Sequence, residues 1–466
     1  MKMWSGRFRQ PLDPEFERWQ RSFPYDQRLL PYELAASRAH APALKSVGVL
    51  SSEELISILQ GLDQIAALAA SPKFLEDDEA EDIHHFVEKQ LVALIGETGF
   101  KLHSGRSRNE QIATDLRLYV RANIDQLRSF LADWIDALLD RADAAGNAGM
   151  PSYTHLQRAE PVLVAHWLLS YVEMFARDAQ RLKDCRKQAN LCPLGSGPVA
   201  GATLPLDRTA MAAALDFDAP TANSIDATSD RDFVLEFVNA LAVLALHWSR
   251  FAEEMILFST QEFGFVHLPE PYSTGSSAMP QKKNPDLLEL MRGKAARIAG
   301  QANALMISLK GLPLAYNKDL QETQEPLFEA TETTLAVLPM ATGFTRGVKF
   351  DFDRMEQAAK TGFLNAWAAA TYLVRQGVPF RLAHEQIGKA VQLCLEKGCE
   401  LEDLPVAELQ TINPAFGPDF QAALTLQSVL DLHDVSGGTA PSHVRQAIAA
   451  ARKKSAALRE GVHAHA

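Results

Sequence analysis

Apolar residues recur at steps of three and four along several long stretches of the chain. The clearest stretch covers residues 109–145, where Ile112, Leu116 and Tyr119 begin a stripe that continues through Trp134. Such spacing places apolar side chains on one face of an α-helix. The same spacing covers about residues 161–190, 230–263, 285–310 and 323–344. These predicted helices exceed the usual length of about 11–12 residues two- to threefold, and such helices pack side by side as a bundle.

The regions on either side of the long helices are broken far more often. Prolines interrupt the first hundred residues repeatedly, and glycines and prolines punctuate the chain after about residue 350. Signals for β-hairpins are almost absent. The pattern predicts an all-α, three-lobed chain with an N-terminal helical lobe at residues 1–108, a central long-helix bundle at 109–350 and a C-terminal helical lobe at 351–466.

The third predicted helix is apolar around most of its circumference. Its most apolar part, residues 233–246, is interrupted by Glu236 and Asn239. We expect this part to be too short and too polar to span a bilayer. The bundle of one chain would leave some of the apolar surface uncovered, so burial between subunits is expected.

The composition argues against some classes of binding partner. The chain of 466 residues carries a net charge of −12 and has a pI near 5.6, which argues against a nucleic-acid or membrane-surface partner. Its four cysteines form no CxxC pair and indicate free thiols in a reducing compartment. The N-terminus lacks the apolar segment of a secretory signal. We therefore expect a cytoplasmic protein.

The most informative polar stretch covers residues 274–286. A glycine and two serines, the first of which is Ser276, precede two adjacent lysines, the first of which is Lys282. Asn284 suits the N-cap of the next predicted helix, and Pro285 suits its first position. Hydroxyls, ammonium groups and a helix N-terminus are together suited to holding an anion. The alternative is a solvated connector, because lysines usually lie on solvated surfaces.

Two further polar stretches flank the first long helix. Residues 102–109 hold two arginines, two serines and an amide, and the planar guanidinium fork of Arg108 suits a carboxylate. Residues 151–158 include Thr154 and His155, and a histidine is a candidate acid or base near neutral pH. The alternatives are an ordinary capped helix start for the first stretch and a structural histidine for the second.

Weaker candidates lie elsewhere in the chain. Residues 315–322 form a polar run ahead of the last long helix, and residues 22–26 carry little weight alone. The acidic run at 76–82 is consistent with a metal site, but a solvated, acidic helix start explains it better. The sequence contains no GxGxxG, phosphate-loop or HExxH motif, so no nucleotide cofactor or metal is predicted.

The stretch at 274–286 resembles the signature loop of the aspartase/fumarase superfamily, whose members split fumarate from a substrate. Residues 105–109 and 153–157 resemble its two other motif regions, and all three occur in order. The string Gln-Lys-Lys-Asn-Pro at 281–285 is most similar to the branch that acts on argininosuccinate. Further matching strings cover residues 194–197, 229–233, 315–322 and 437–441.

The resemblance implies an activity and an assembly. The activity is the reversible β-elimination of argininosuccinate to L-arginine and fumarate by general acid/base catalysis, in arginine biosynthesis. No cofactor and no metal are implied, because the reaction contains no redox step and no metal-activated water. The assembly is a homotetramer whose central helices form a bundle of about twenty, with active sites that each combine residues from three subunits.

The resemblance also implies roles for individual residues. Ser276 matches the general base, His155 matches the histidine that assists proton transfer, and Glu289 matches its carboxylate partner. The residues that match those holding the succinate carboxylates are Thr154, Lys282 and Asn284, of which Lys282 also assists the base. Further substrate contacts are matched by Ser107, Arg108, Asn109, Tyr316 and Gln321. The pair that faces the arginine portion of the substrate is matched by Ser22 and Asp26.

The sequence departs from the usual pattern of this branch at two positions. Gln324 stands where a lysine of the active site is usual, so one positive charge is missing, and Glu160 stands where a glutamine is usual. The nearest alternative is adenylosuccinate lyase or another fumarate-releasing lyase. A second alternative is a non-enzymatic structural protein on the same scaffold, because a fold alone does not establish activity. Ser276, His155 and Lys282 argue for an enzyme.

Overall fold

The computed structural model describes residues 10–459, and its first part is a lobe of short and medium helices. Their bounds are α1 Pro14–Trp19, α2 Phe23–Asp26, α3 Leu30–Ser46, α4 Ser52–Leu68 and α5 Ile83–Ile95. Polar caps fix several helix starts. Ser51 and Glu54 form a capping box at α4, and the side chain of Asp82 accepts a hydrogen bond from the backbone N–H of His85 at the start of α5.

Long helices dominate the middle of the chain, as predicted. The helices there are α6 Arg108–Ala145, α7 Val164–Ala189, α8 Arg208–Ala214, α9 Ser224–Ser229, α10 Asp232–Phe258, α11 Asp286–Leu309 and α12 Gln324–Gly347. The predicted bounds of the long helices are close to those observed. The second begins at Val164, a few residues later than expected, because the preceding residues form a strand.

The longest helix, α6, sets the dimensions of the bundle. It begins at a capping box formed by Ser107 and Glu110 and contains 38 residues, which at about 1.5 Å per residue extend over roughly 57 Å. Its inner face is packed with aromatic side chains. The ring of Trp134 lies 4.1 Å from that of Phe175 and 5.3 Å from that of Phe251, measured between centroids. This packing joins α6, α7 and α10 in one core.

The long helices alternate in direction, so the bundle has two distinct ends. Arg117, near the start of α6, donates to the carbonyl of Gln188, near the end of α7. The ring nitrogen of Trp248, late in α10, donates to the carbonyl of Met291, early in α11. Arg117 also pairs with Asp230, just before α10, and Tyr119 packs on Phe328, early in α12. The starts of α6, α10 and α12 therefore lie at one end, called here the Arg108 end. The ends of α6 and α10 and the starts of α7 and α11 lie at the other, called the hairpin end.

Short pairs of strands, antiparallel or parallel, lie between the helices along the chain. Their bounds are β1 Gly149–Thr154, β2 Gln157–Leu163, β3 Leu191–Cys192, β4 Ala219–Pro220, β5 Val266–His267, β6 Thr274–Gly275, β7 Lys283–Asn284 and β8 Lys349–Phe350. β1 and β2 form an antiparallel hairpin in which Thr154 pairs with Gln157, with a register shift between Pro151 and Tyr153. The sequence did not predict this hairpin, because prolines argue against strands.

The last part of the chain returns to shorter helices with a core of their own. Their bounds are α13 Phe352–Ala359, α14 Ala366–Arg375, α15 Phe380–Lys397, α16 Val406–Ile412, α17 Phe420–Ala423, α18 Leu426–Leu432 and α19 Pro441–Leu458. Leu373, Cys394 and Phe416 belong to this separate core. Val444 and Ile448 of α19 return to the main core. The fold is all-α around a long-helix bundle, as the sequence predicted.

Helix α10 differs from expectation in one respect. Among residues 10–459, it is the one helix long and apolar enough to cross a membrane by length and composition alone. The expectation concerned residues 233–246 alone, whereas this test applies to the whole helix, which was predicted over about residues 230–263 and continues to Phe258. Half of its apolar window, 50%, is buried inside the protein, where Phe237, Leu241 and Trp248 join the main core. The inner face of α10 is therefore part of the core.

Candidate active site

The β1–β2 hairpin carries two of the predicted site residues, Thr154 and His155, at its tip. His155 and Leu156 form the two-residue turn with φ values of 55° and 58°. Positive φ at both positions is the geometry of a type I′ hairpin turn, which glycine and asparagine usually occupy. Thr154, His155 and Leu156 are all exposed, and Leu156 keeps 71% of its surface. The tip thus presents an imidazole and an apolar side chain outward.

The loop that contains Ser276 closes on itself at the same end of the bundle. Thr274 pairs with Asn284 across β6 and β7, and the intervening loop is exposed. The hydroxyl oxygen of Ser276 accepts hydrogen bonds from the N–H groups of Ala278 at 3.2 Å and Met279 at 3.1 Å. The Asn284 side chain donates to the carbonyl of Gly275 at 3.4 Å. These contacts form a turn of N–H donors around the Ser276 oxygen.

The helix that follows this loop begins one residue later than predicted. Pro285 is the N-cap of α11, and Asn284 pairs in β7 instead of capping the helix. A carbonyl partner and a strand pairing hold Asn284 in extended structure, which overrides its capping preference. Glu289 lies in the first turn of α11 and is exposed, and Lys282 is exposed in the loop. Both side chains face outward at the hairpin end.

Arg108 occupies the first position of α6, at the opposite end of the bundle. Its guanidinium lies 2.6 Å from Asp82 and 3.2 Å from Glu81. Burial lowers the pKa of Arg108, but these two carboxylates have the larger combined effect and raise this pKa above its usual value. The acidic run that was expected to be solvated therefore supplies a residue to this region: Asp82 caps α5 and also fixes the arginine.

Asp26 and Ser22 lie beside this ion pair. The Ser22 hydroxyl donates to Asp26 Oδ2 at 2.6 Å, and both residues are buried. The Oδ1 atom of Asp26 is buried and has no hydrogen-bond partner within residues 10–459. Burial, then the charge of Asp82, raises the pKa of Asp26 to about 7. A buried carboxylate with one unsatisfied oxygen is suited to receiving a cationic group.

The other predicted contacts surround the same region. Gln321 is buried, and its side chain donates to the carbonyl of Gln20, two residues before Ser22, at 3.1 Å. The charges of Arg108, Asp82 and Glu81 all act on Tyr316, whose pKa is raised chiefly by burial. The remaining predicted contacts are Ser107, which caps α6, and Asn109, whose side chain donates to the carbonyl of Pro198 at 3.1 Å.

The structure thus divides the predicted residues into two groups. One group, at the Arg108 end, contains Ser22, Asp26, Ser107, Arg108, Asn109, Tyr316 and Gln321. The other group, at the hairpin end, contains Thr154, His155, Ser276, Lys282, Asn284 and Glu289. The long helices of the bundle separate the two groups: α6 extends over roughly 57 Å, and α11, which follows the Ser276 loop, over roughly 36 Å. One chain therefore does not bring them into a single site.

Two residues outside the predicted set of site residues also belong to the Arg108 end. Arg231 is 2% exposed, its Nε and Nη2 atoms lack hydrogen-bond partners in the described chain, and burial lowers its pKa to about 10. It adjoins Tyr316, whose charge acts on it. Its string at 229–233 was recognised, but a single arginine there carried no signal of burial. Gln324, where lysine is usual, is buried at the start of α12.

A buried ion network lies beneath the Arg108 end. Ligand atoms of Glu33, His84 and Asp115 lie within 4.8 Å of one another, which is a spacing that a metal ion could use. The carboxylate of Glu33 lies 2.9 Å from the ring nitrogen Nδ1 of His84 and 3.5 Å from the guanidinium of Arg106. Burial raises the pKa of Glu33, but the charges of Arg106 and His84 have the larger combined effect and lower this pKa to about 2. The guanidinium and imidazole already supply positive charge, so the network is balanced by the protein itself.

Comparison with known proteins relates the chain to enzymes. The family model described as a lyase matches residues 6–300, and the model described as argininosuccinate lyase C-terminal matches residues 363–431. A Koribacter versatilis protein described as argininosuccinate lyase is 61% identical over 466 residues, which cover 100% of both chains. Its counterpart from Acidobacterium capsulatum is 60% identical over 464 residues, which are 98% of this chain and 96% of that one.

A solved structure agrees with these matches. A variant of EDDS lyase with bound fumarate has a TM-score of 0.83 at 27% identity, and the match covers 97% of this chain and 92% of that one. The fold and the two residue groups define a lyase of the aspartase/fumarase superfamily. Within it, the chain belongs to the argininosuccinate lyase family. It is therefore a carbon–nitrogen lyase.

Proposed function

We propose that this chain catalyses the reversible β-elimination of argininosuccinate to L-arginine and fumarate, a step of arginine biosynthesis. The observation that carries the proposal is the match, over the whole chain and at 61% identity, to a relative described as argininosuccinate lyase. The chemistry of the Arg108 end agrees with this substrate. The arginine portion of argininosuccinate is cationic at its amino and guanidinium groups, and a buried carboxylate oxygen of Asp26 lacks an internal partner.

The arginine portion binds in this proposal at the Arg108 end. Asp26 accepts a hydrogen bond from a cationic group of the substrate, while Ser22 holds the other carboxylate oxygen. Arg108 and Asn109 contact the substrate carboxylates, and Asp82 keeps the guanidinium of Arg108 in place. Ser107, Tyr316 and Gln321 provide further substrate contacts.

Proton removal is the difficult part of the reaction. The proton leaves a carbon next to a carboxylate and produces a doubly charged aci-carboxylate, which then expels the guanidinium nitrogen. Lys282, Asn284 and Thr154 stabilise this charge as it develops. A single donor of this kind contributes about 3–4 kcal/mol.

Ser276 is the general base in this proposal. A serine hydroxyl is a weak base in water, so its alkoxide must be stabilised. The N–H groups of Ala278 and Met279 already point at the Ser276 oxygen, at 3.2 and 3.1 Å, and Lys282 adds a positive charge in the same loop. His155 assists the proton transfer, with Glu289 as its carboxylate partner.

We infer further that the functional unit is a homotetramer with shared active sites. The two residue groups lie at opposite ends of the long helices, of which α6 extends over roughly 57 Å and α11 over roughly 36 Å, so a complete site needs residues from more than one subunit. Exposed apolar side chains on the outer faces of the long helices support the same inference. These are Leu246 on α10, Leu290, Met306 and Ile307 on α11, and Met340 on α12. Burial of such a surface between subunits stabilises an oligomer.

The remaining proposals concern organisation and location. The division into lobes at residues 1–108, 109–350 and 351–466 is supported at its C-terminal boundary by the separate core around Leu373 and Phe416. The core of the N-terminal lobe is continuous with that of the bundle. A net charge of −12 supports a cytoplasmic enzyme without nucleic-acid or membrane partners.

The proposed reaction is tested by offering argininosuccinate, adenylosuccinate and aspartate separately and measuring the absorbance of fumarate. We expect fumarate from argininosuccinate alone, with arginine as the second product. AMP should not inhibit, because no site for a nucleotide phosphate is part of the proposal. Release of fumarate from adenylosuccinate, with inhibition by AMP, would assign the chain to the neighbouring activity. A folded chain inactive on all three would support a structural protein.

A further inference from the structure

The end of α15 carries two cysteines at the two ends of one tight turn. The helix ends at Lys397, and Gly398 follows in the left-handed region with φ 64° and ψ 42°. The backbone N–H of Cys399 donates to the carbonyl of Cys394 at 3.1 Å. This is a Schellman cap, a six-residue ring that brings the side chains at its ends into contact. Hydrophobic residues commonly make that contact, but here both are cysteines.

The two thiols differ in their surroundings. Cys394 is fully buried, with 0% exposure, in the core of the C-terminal helices. Burial, and then the neighbouring Cys399 side chain, raises the pKa of Cys394 to about 12. Cys399 is only half-buried, so it is the thiol that a small molecule can reach. Both are free thiols in this structure.

We propose that Cys394 and Cys399 form a reversible intrachain disulfide when the chain meets a small-molecule disulfide. A disulfide joins cysteines whose Cα atoms lie about 4.4–6.8 Å apart, and the hydrogen-bonded cap holds these two cysteines together before any reaction. The native cap thus supplies the closure that two separate thiols would have to achieve by chain motion.

The chemistry proceeds by two thiol–disulfide exchanges. The thiolate of Cys399 attacks one sulfur of the small disulfide, and the other half leaves as a thiolate. The sulfur of Cys394 then attacks Cys399 Sγ and gives up its proton, and the second half of the reagent leaves. Two protein thiols are oxidised to one disulfide, and one small disulfide is reduced to two thiols. The high pKa of Cys394 makes the second exchange the slower one.

The cysteine pair lies next to a contact between two parts of the C-terminal region. Glu400 directly follows Cys399, and its carboxylate accepts hydrogen bonds from the N–H groups of Gly362 at 2.9 Å and Phe363 at 3.1 Å. The disulfide would therefore fasten the helix cap next to a contact that ties α15 to the segment after α13. None of the residues proposed for the active site takes part, so the redox site is separate from the catalytic reaction.

The test treats the purified enzyme with oxidised glutathione and follows intact mass, peptide mapping and thiol titration. We expect the loss of two hydrogens, a disulfide-linked pair of peptides containing Cys394 and Cys399, and a fall from four titratable thiols in the unfolded chain to two. Treatment with a dithiol reductant should restore all four. A wild-type chain that keeps four thiols, or ends as a stable glutathione adduct, would overturn the proposal.

Two variants assign the roles of the thiols. Cys394→Ser should stop at the mixed disulfide and gain one glutathionyl group at Cys399. Cys399→Ser should leave Cys394 unmodified, because the remaining thiol is buried. Loss of two hydrogens in Cys399→Ser would show that another pair of cysteines reacts, and the proposal would fail. Circular dichroism confirms that each variant is folded before it is treated.

Discussion

At the scale of single residues, the notable feature of Asp26 is a buried carboxylate oxygen without a hydrogen-bond partner in the described chain. Its carboxylate is buried, one oxygen receives the Ser22 hydroxyl, and the other has no partner within the described chain. Burial raises its pKa to about 7, which means that the ionised form of this carboxylate is costly. A cationic substrate group would relieve that cost, so substrate binding and ionisation of Asp26 are linked.

This linkage predicts a pH dependence of substrate capture. As pH falls below about 7, Asp26 becomes protonated and can no longer pair with a cation, so kcat/KM for argininosuccinate should fall tenfold per pH unit. Asp26→Asn should have a much higher KM and should lack this acidic limb. Ser22→Ala removes a hydrogen bond that lowers the pKa of Asp26, so its limb should move to higher pH. An acidic limb unchanged in Asp26→Asn would assign the titration to another group.

The two adjacent lysines of the Ser276 loop provide a matched pair of substitutions. Lys282→Met should lower kcat by about 10²–10³, the usual effect of removing a donor that stabilises transition-state charge. Lys283 instead contacts the Leu268 carbonyl and Glu270 at the surface. Lys283→Met should change kcat by at most about fivefold, the equivalent of about 1 kcal/mol for an exposed contact. Steady-state kinetics of both variants provides the test, and equal losses would contradict the role of Lys282.

At the scale of elements, helices were more predictable than the hairpin. The long helices have repeated apolar stripes, and Ser107 with Glu110 marks the start of α6. The β1–β2 hairpin has prolines in both strands and a turn without glycine, so its local sequence argues against it. Distant contacts hold it instead. The Arg158 side chain donates to the carbonyl of Ala358 in α13 and to the hydroxyl of Thr361 just after it, and such partners cannot be inferred from local sequence.

Thr439, in the Gly-Gly-Thr-Ala-Pro string, holds the base of this hairpin. Its hydroxyl accepts a hydrogen bond from the backbone N–H of Leu163 at 2.8 Å, and Thr439 is only 4% exposed. Thr439→Val leaves that N–H buried and unpaired, which should lower the free energy of unfolding by about 1–3 kcal/mol. Because the hairpin carries His155, kcat should fall as well. Denaturant unfolding and kinetics measure the two effects.

Thr439→Ser provides the control for this prediction. Serine retains the hydroxyl that accepts from Leu163, so most of the stability and the activity should return. If Thr439→Ser were as impaired as Thr439→Val, the hydroxyl alone would not preserve stability, and the loss in the valine variant could not be assigned to this hydrogen bond. A valine variant with wild-type stability would show that the Leu163 N–H finds another acceptor.

At the scale of the whole molecule, the long helices keep the two groups of predicted site residues in one chain apart. The sequence identified the motif regions, but their separation in space depends on the long helices that lie between the Arg108 end and the hairpin end, of which α6 extends over roughly 57 Å. The residues that meet across subunits cannot be deduced from one chain, because contacts between copies leave no periodic signal in the sequence. In the proposed oligomer, exposed apolar residues such as Leu290 and Ile307 are the expected contacts between copies.

Shared sites predict that two impaired variants can restore activity together. Ser276→Ala lacks the proposed base at the hairpin end, and Asp26→Asn lacks the carboxylate at the Arg108 end. If different subunits supply these residues, an equal mixture that is unfolded and refolded together should contain sites with both wild-type residues. In a symmetric oligomer this is about a quarter of the sites. Activity at low argininosuccinate should rise toward a quarter of the wild-type value, well above either parent refolded alone.

The control is a chain that carries both substitutions, refolded with an equal amount of wild-type chain. If each site takes the two residues from different subunits, about a quarter of these sites should again be intact. If one subunit supplied both residues, this control would retain about half of its sites, and the mixture of single variants would gain none. Native mass spectrometry must first verify that subunits have mixed. Hybrid oligomers of the single variants that are no more active than their parents would refute the shared site, because α6 would then have to bend or shorten to bring Asp26 and Ser276 of one chain together.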